Sequence, residues 1–151
     1  MNKILVFDMD GTIVDLYGVS DWLPKLRSEN ASPYMDAKPL YDMEVLNNIL
    51  DILRYMGWQI VVTSWLAKNS TEEYKNAVRQ AKIEWLNKHG FVYDHIHLVQ
   101  YGTTKANCTR HMGGYQILID DNPEILKGWT LGGTINASDN ILAALIDLIV
   151  E

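Results

Sequence analysis

The chain has 151 residues, so it is most economically one domain (residues 1–151), which can bury roughly two-thirds of its unfolded surface in a single core. Its single cysteine, Cys108, excludes an intramolecular disulfide and a cysteine-rich zinc site, which is typical of a reducing cytoplasm. The formal net charge of −6 argues against nonspecific binding to nucleic acid, and no apolar run is long enough for a signal peptide or a membrane span. We therefore expect a cytoplasmic protein without a membrane partner.

The first predicted strand ends in two carboxylates. An apolar run over residues 4–7 leads directly into Asp8, Asp10, Gly11 and Thr12, which is the pattern of a buried strand that enters a tight turn. Parallel sheets bind ligands beyond the carboxyl ends of their strands, so Asp8 and Asp10 indicate an active site there. Carboxylate oxygens suit Mg²⁺ better than zinc or copper. A helix cap is the alternative, but it would need only one of the two acids.

Residues 13–41 form a long insert after this strand. The segment contains prolines at positions 33 and 39, and Pro24 lies in a stretch that could form one short helix. Segments of this length are usually lids or binding loops, so we expect a minimal cap over the site, mostly loop.

A helix and a second strand follow the insert. Asp42 is positioned to cap the helix, and Gly57 to end it. The strand over residues 59–63 is apolar and β-branched and ends at Thr63 and Ser64. Small hydroxyls therefore follow the second strand where carboxylates follow the first.

A long amphipathic helix is predicted next. Ser70 to Glu73 has the form of a capping box, and Gly90 closes the helix. Its apolar face comprises Tyr74, Ala77, Val78, Ala81 and Trp85. Its basic residues are Lys75, Arg79, Lys82 and Lys88, interrupted by glutamates. We interpret this basic side as a solvated face rather than a nucleic-acid stripe.

The rest of the chain alternates strands and helices. Residues 95–100 form a third strand, followed by a short helix that begins near Lys105 and that a threonine hydroxyl could cap. Residues 115–119 repeat the pattern of the first strand, because an apolar run is again followed by two carboxylates, Asp120 and Asp121. A weaker strand over 132–137 precedes a last helix, capped by Ser138 or Asp139. This order predicts a three-layer α/β fold with a mostly parallel sheet of about five strands.

Two further features are interpreted as structural. His95 and His97 would share one face of the third strand, but no third ligand lies at metal spacing, so packed or surface histidines are favoured over a zinc site. Cys108, on the short helix, is expected to be buried and inert rather than a reactive thiol.

The ordered set of strand ends resembles the haloacid dehalogenase-like superfamily over nearly the whole chain. Its four motifs match Asp8 to Thr12, Ile60 to Thr63, Lys105, and Ile117 to Asp121. The resemblance implies a Rossmann-like fold and a Mg²⁺-dependent phosphatase that forms an aspartyl-phosphate.

Each motif residue then has an implied role. Asp8 resembles the nucleophile and Asp10 the general acid, with the Asp10 backbone carbonyl joining Asp8 on Mg²⁺. Asp120 and Asp121 resemble the metal pair, with the direct ligand left open between them. The expected phosphate or substrate contacts are Thr12, Thr63, Ser64 and Lys105.

Asp10 favours a phosphatase. Phosphatases and phosphomutases of the superfamily keep an aspartate at this position, whereas dehalogenases lack the second aspartate and ion pumps have threonine there. A phosphomutase must hold a bisphosphate intermediate away from water beneath a cap, and the insert over residues 13–41 is short for that task. A response-regulator receiver is disfavoured, because there the acid pair comes first in the chain and the phosphorylated Asp stands alone on a later strand.

The substrate is expected to be a nucleotide or another small phosphate ester, by similarity to small deoxyribonucleotidases. The candidates for stacking on a base are Tyr17, Trp22, Tyr34 and Trp65. Two alternatives are a polynucleotide 3′-phosphatase, in which nucleic acid is bound only at a substrate end, and a non-catalytic phosphate-binding or scaffold domain.

Overall fold

A computed structural model describes all residues, 1–151, and shows an α/β fold. The strands are β1 (Lys3–Phe7), β2 (Val14–Asp15), β3 (Lys38–Pro39), β4 (Trp58–Trp65), β5 (His95–Val99), β6 (Tyr115–Asp120) and β7 (Thr134–Asn136). The helices are α1 (Trp22–Arg27), α2 (Ser32–Asp36), α3 (Met43–Tyr55), α4 (Glu72–Lys88), α5 (Lys105–Thr109), α6 (Pro123–Lys127) and α7 (Ile141–Val150). None of these helices is long and apolar enough to cross a membrane.

Five strands form one parallel sheet in the order β5-β4-β1-β6-β7. This arrangement confirms the predicted α/β class and strand number. In the register of the three central strands, Phe7 lies between Val62 and Ile119. One residue further along, Asp8, Thr63 and Asp120 therefore meet at the carboxyl edge of the sheet.

Both faces of the sheet are covered, which gives three layers. The larger core packs side chains of α3, α4 and α7 against one face, including Leu50, Trp85 and Leu145. A smaller cluster on the other face includes Ala106 of α5 and Trp129. Nearly continuous apolar strands are expected for a sheet buried on both sides.

The insert is more ordered than the sequence predicts. It contains α1, α2 and a 3₁₀ turn at Leu16–Gly18, and β2 pairs antiparallel with β3 at its base. A third apolar cluster joins it to α4 through Leu16, Tyr34 and Tyr74. The carboxylate of Glu29 also accepts hydrogen bonds from the Thr71 hydroxyl and backbone N–H at the start of α4. These contacts dock the insert on the sheet domain.

Three predicted helix caps differ in detail. Thr71, not Ser70, caps α4, because its hydroxyl accepts the Tyr74 N–H. Asn140, not Ser138 or Asp139, caps α7. Thr104 precedes α5, but its hydroxyl makes no capping bond. The predicted Asp42 cap of α3 is confirmed.

Two assignments on α4 are wrong. Ala77 is exposed, although the periodicity places it on the apolar face. Lys82 is only 1% exposed, although we assigned it to a solvated basic side. Lys82 lies four residues after Val78 and three before Trp85, so helical spacing places it on the buried stripe.

Candidate active site

Asp8 lies at the end of β1 with both carboxylate oxygens engaged. Its Oδ1 accepts a hydrogen bond from Lys105 Nζ over 2.9 Å, and its Oδ2 accepts one from the Thr12 hydroxyl, also over 2.9 Å. The side chains of Asp8, Thr12 and Lys105 are all buried. The carboxylate is therefore held in one orientation at the carboxyl edge of the sheet.

The turn after β1 is wound tightly around one carbonyl. Met9 O accepts the backbone N–H groups of Thr12, Ile13 and Val14. Gly11 has φ +81°, and a Cβ there would overlap Asp121 Oδ2. Glycine is thus required both by the backbone and by the close approach of the Asp121 carboxylate.

Three carboxylates converge at this edge. Ligand oxygens of Asp8, Asp120 and Asp121 all lie within 4.8 Å of one another. Burial, with Asp8 and Asp120 close by, raises the pKa of Asp121 to about 8. Burial and Asp8 also raise the pKa of Asp120. The site is therefore short of positive charge.

The residues fit a hard divalent cation. Four carboxylates, those of Asp8, Asp10, Asp120 and Asp121, face only two ammonium groups, those of Lys82 and Lys105. The excess formal charge of this set equals the charge of one divalent ion. Oxygen-only donors are those preferred by Mg²⁺. Asp8, Asp120 and Asp121 are the side chains that could hold it.

Lys105 connects the nucleophile candidate to the acid pair. Its Nζ donates to Asp8 Oδ1 and, over 2.7 Å, to Asp120 Oδ2. Burial alone would lower the pKa of Lys105, but the two carboxylates outweigh burial and raise it. An ammonium has three N–H donors, so one remains for a substrate oxygen.

The predicted hydroxyl residues divide into two groups. All three are buried, but Ser64, at 1% exposure, is among the residues that line the cleft, whereas Thr12 and Thr63 are not. Thr12 contacts Asp8 directly, which suits orientation of that carboxylate. Thr63 Oγ1 is buried without a hydrogen-bond partner, and such a group usually costs about 1–3 kcal/mol unless a ligand satisfies it.

Lys82 is the site residue that sequence reasoning missed. Its Nζ donates to Asp10 Oδ2 over 2.9 Å, to Ser64 Oγ over 2.7 Å and to Trp65 O over 2.8 Å. Burial and Asp8 raise the pKa of Asp10, and Lys82 opposes them. The signal for its role was available, because a lysine on the apolar stripe of a helix needs a buried partner.

A cleft of about 870 Å³ opens over these residues, between the insert and the end of β4. Its volume is within the usual range for small-molecule sites. Tyr17 and Trp22 line the insert side, with ring centroids 4.9 Å apart. Trp65, at the end of β4, and Tyr101 also line the cleft, and their ring centroids are likewise 4.9 Å apart.

Tyr34 differs from the other aromatic candidates. It is only 5% exposed and packs in the cluster that joins the insert to α4. Its ring centroid lies 5.1 Å from Lys82 Nζ. Tyr34 also lines the cleft, but little of its ring is accessible to a base, so we interpret its role as structural.

His95, His97 and Cys108 do not belong to the carboxylate cluster. His95 is exposed and His97 half-buried, and neither belongs to a group of three metal-ligand side chains. Cys108 is half-buried rather than buried, and burial raises the pKa of its thiol despite nearby Lys105. A raised pKa agrees with an inert thiol.

No family model and no curated protein matches the sequence. Solved structures similar to the chain include the Pnkp1/Rnl/Hen1 RNA repair complex. The matching chain of that complex is 19% identical with a TM-score of 0.58, and the match covers 90% of this chain and 42% of that one. D,D-heptose 1,7-bisphosphate phosphatase from Burkholderia thailandensis is 13% identical with a TM-score of 0.58, over 99% and 100% of the two chains. The same phosphatase from B. bronchiseptica, complexed with magnesium and phosphate, is 12% identical with a TM-score of 0.59, over 98% of each chain. This chain thus spans under half of the repair-complex chain and nearly all of the two phosphatases. These likenesses confirm the Rossmann-like α/β fold that the sequence predicts.

Proposed function

We propose that the chain is a Mg²⁺-dependent phosphomonoester hydrolase that works through an aspartyl-phosphate on Asp8. The observation that carries this proposal is the environment of Asp8. Its carboxylate is fixed by Lys105 and Thr12 at the edge of a cleft and lies within 4.8 Å of two further carboxylates. A carboxylate so oriented is a competent nucleophile once cations offset its repulsion from a phosphate.

The chemistry divides among the residues present. A carboxylate oxygen of Asp8 attacks phosphorus, the bond from phosphorus to the ester oxygen breaks, and the leaving oxygen takes a proton from Asp10. Asp10 then removes a proton from the water that hydrolyses the acyl phosphate. Burial raises the pKa of Asp10, which favours the protonated form that the first step needs.

The cations of the site have separate roles in this proposal. Lys105 keeps one N–H for a phosphate oxygen, and the Ser64 hydroxyl lines the same cleft. Mg²⁺ held by Asp8, Asp120, Asp121 and the Asp10 carbonyl would supply charge neutralisation for the anionic substrate. A magnesium- and phosphate-bound neighbour of the same fold supports this assignment.

Nucleotides or other small phosphate esters are the proposed substrates. Two aromatic pairs that line the cleft, Tyr17 with Trp22 and Trp65 with Tyr101, could hold a planar group, while the phosphate meets Asp8. Stacking on such pairs typically contributes about 1–3 kcal/mol per base. Because two of the similar structures are heptose bisphosphate phosphatases, sugar phosphates are also among the substrates to be tested.

A polynucleotide 3′-phosphatase is the second candidate. The likeness to a chain of an RNA repair complex favours it, as do two cationic residues of the cleft, Arg27 and Lys68. In this case a terminal phosphate would reach Asp8 while the strand leaves through the open side of the cleft.

A phosphate-release screen tests these proposals. The panel contains an aryl phosphate, nucleotides, sugar phosphates and end-phosphorylated oligonucleotides, each with Mg²⁺ and with EDTA. We expect Mg²⁺-dependent release that Asp8→Asn abolishes. A folded protein that releases no phosphate from any of them supports the scaffold alternative, and a preference for oligonucleotides supports the second candidate.

A further inference from the structure

Lys82 has a different hydrogen-bonding state from Lys105. All three of its N–H donors are used, by Asp10 Oδ2, Ser64 Oγ and Trp65 O at 2.7–2.9 Å. An ammonium with three acceptors has no donor left for a substrate oxygen. Lys82 therefore cannot bind phosphate without breaking one of these bonds.

The surroundings of Lys82 make this arrangement rigid. The residue is 1% exposed, and the buried ring of Tyr34 from the insert lies 5.1 Å from its Nζ. The three acceptors come from the ends of β1 and β4, while Lys82 itself comes from α4. In a water-poor environment, charged hydrogen bonds are strong, and loss of one partner is costly.

The Asp10 side chain pairs with Lys82 rather than with the carboxylate cluster. Asp8, Asp120 and Asp121 cluster within 4.8 Å, and the Asp10 side chain is not part of that group. Its Oδ2 is paired with Lys82 instead, and 18% of the side chain remains exposed toward the cleft.

We infer that Lys82 is a positioning residue, which holds the Asp10 carboxyl apart from the acidic cluster and aimed at the leaving group. This inference rests on the proposed phosphatase function. A carboxyl group displaced by about 1 Å can lose on the order of 10²-fold in rate. The loss should appear only where protonation of the leaving group matters.

The Lys82→Met variant tests the inference with a side chain of similar length. We expect kcat to fall about 10²-fold for an alkyl phosphate and less than about threefold for an aryl phosphate, whose leaving group needs little protonation. KM should change little for either substrate. Lys88→Met, which removes an exposed cation from the same helix, is the matched control and should retain wild-type rates.

A comparison in the Asp10→Asn background separates positioning from a general structural role. If Lys82 acts through Asp10, then Asp10→Asn/Lys82→Met should have the same kcat and KM as Asp10→Asn alone. This double variant removes both members of the buried pair, which is far better tolerated than removal of one, so it remains usable if Lys82→Met does not fold.

Binding of Mg²⁺, measured by calorimetry, provides a readout independent of turnover. Asp10→Asn/Lys82→Met should bind Mg²⁺ within about threefold of Asp10→Asn. The inference would be overturned if the double variant had a lower kcat than Asp10→Asn, or if its Mg²⁺ affinity differed from that of Asp10→Asn by more than about threefold. Equal losses of kcat on alkyl and aryl phosphates in Lys82→Met would also overturn it. Absence of Mg²⁺-dependent hydrolysis in the wild-type protein would instead refute the proposed function.

Discussion

Lys105 Nζ lies 2.9 Å from Asp8 Oδ1, so the proposed nucleophile and a buried cation form a direct ion pair. The same ammonium also bonds Asp120. Exchange of the Asp8 carboxylate for an amide therefore leaves Lys105 with one charged partner and relieves the repulsion of Asp8 from the other acids.

For Asp8→Asn we expect no detectable turnover but a native fold. An amide cannot attack phosphorus, while its shape is nearly that of the carboxylate. The melting temperature without metal should equal or exceed that of the wild type, because like charges are removed. Phosphate release and thermal unfolding measure both effects, with the exposed Asp36→Asn as the control. Substantial activity in purified Asp8→Asn would remove the covalent mechanism.

Activity should require Mg²⁺, stop with EDTA and recover poorly with Ca²⁺. Calcium takes more oxygen ligands at longer distances than magnesium. It can therefore engage both oxygens of Asp8 and leave neither aligned for attack. Initial rates across a metal series measure this dependence. Full activity in metal-free buffer would contradict the role given to Asp120 and Asp121.

The metal-free protein should lose stability as the pH rises from 7 to 9. The pKa of Asp121 is about 8 in the folded state and near 4 in an unfolded chain. The unfolded state is thus already deprotonated at pH 7, while the folded state still holds the proton, so a rise in pH favours unfolding. The slope from one group cannot exceed about 1.4 kcal/mol per pH unit.

Denaturant titrations in EDTA measure that slope. His89 and His97 have lowered pKa values, so they affect stability mainly below pH 7. The raised pKa values of Asp10, Asp120 and Cys108 add to the slope with the same sign, so the contribution of Asp121 is read from the difference between wild type and Asp121→Asn. Asp121→Asn should flatten the dependence, and saturating Mg²⁺ should do the same in the wild type. Equal slopes in wild type and Asp121→Asn would show that Asp121 is not the titrating group.

The strands and the acids at their ends could be predicted from sequence because both are local signals. Apolar runs followed by Asp8 and by Asp120 mark strand ends, and parallel topology brings those ends to one edge. Parallel β1, β4 and β6 confirm this step. These predictions needed only the hydrophobic periodicity of each segment and the direction of each strand.

Lys82 and the insert could not be predicted in the same way. The charge of Lys82 favours a solvated position, and its buried partner Asp10 cannot be identified from local sequence because it is 72 residues away in the chain. The short helices α1 and α2 have no strong periodicity of their own and are stabilised by packing on α4. Tyr34 was a stacking candidate for its residue type alone, and only tertiary contacts show it to be buried.

Gly11→Ala should impair both folding and metal binding. The new methyl group would meet the Asp121 carboxylate, and φ +81° is unfavourable for alanine. Strained positive-φ positions cost roughly 1–3 kcal/mol. We expect a lower melting temperature and at least about tenfold weaker Mg²⁺ binding by calorimetry. Gly102→Ala, also at positive φ but with open space around the position, controls for backbone strain alone. Equal effects of the two changes on Mg²⁺ affinity would show that contact with Asp121 is not the cause.

Nucleotide recognition should depend on the exposed aromatic residues of the cleft rather than on Tyr34. Tyr17, in the insert, and Tyr101, after β5, both line the cleft and are 51% and 47% exposed. If nucleotides are the substrates, Tyr17→Ala or Tyr101→Ala should raise KM for a nucleotide by about 5- to 150-fold, which corresponds to a lost stack of ~1–3 kcal/mol. Hydrolysis of glycerol phosphate, which has no ring, should change little.

Tyr34→Ala should behave as a core mutation. Truncation of a buried aromatic residue typically costs roughly 3–5 kcal/mol, so the melting temperature should fall, and losses should be similar for all substrates. Steady-state kinetics on the nucleotide and on glycerol phosphate separate the two behaviours. If Tyr17→Ala and Tyr101→Ala impair both substrates equally, these rings are structural too, and a sugar phosphate becomes the better substrate assignment. An end-phosphorylated oligonucleotide hydrolysed faster than any mononucleotide would instead favour the polynucleotide 3′-phosphatase.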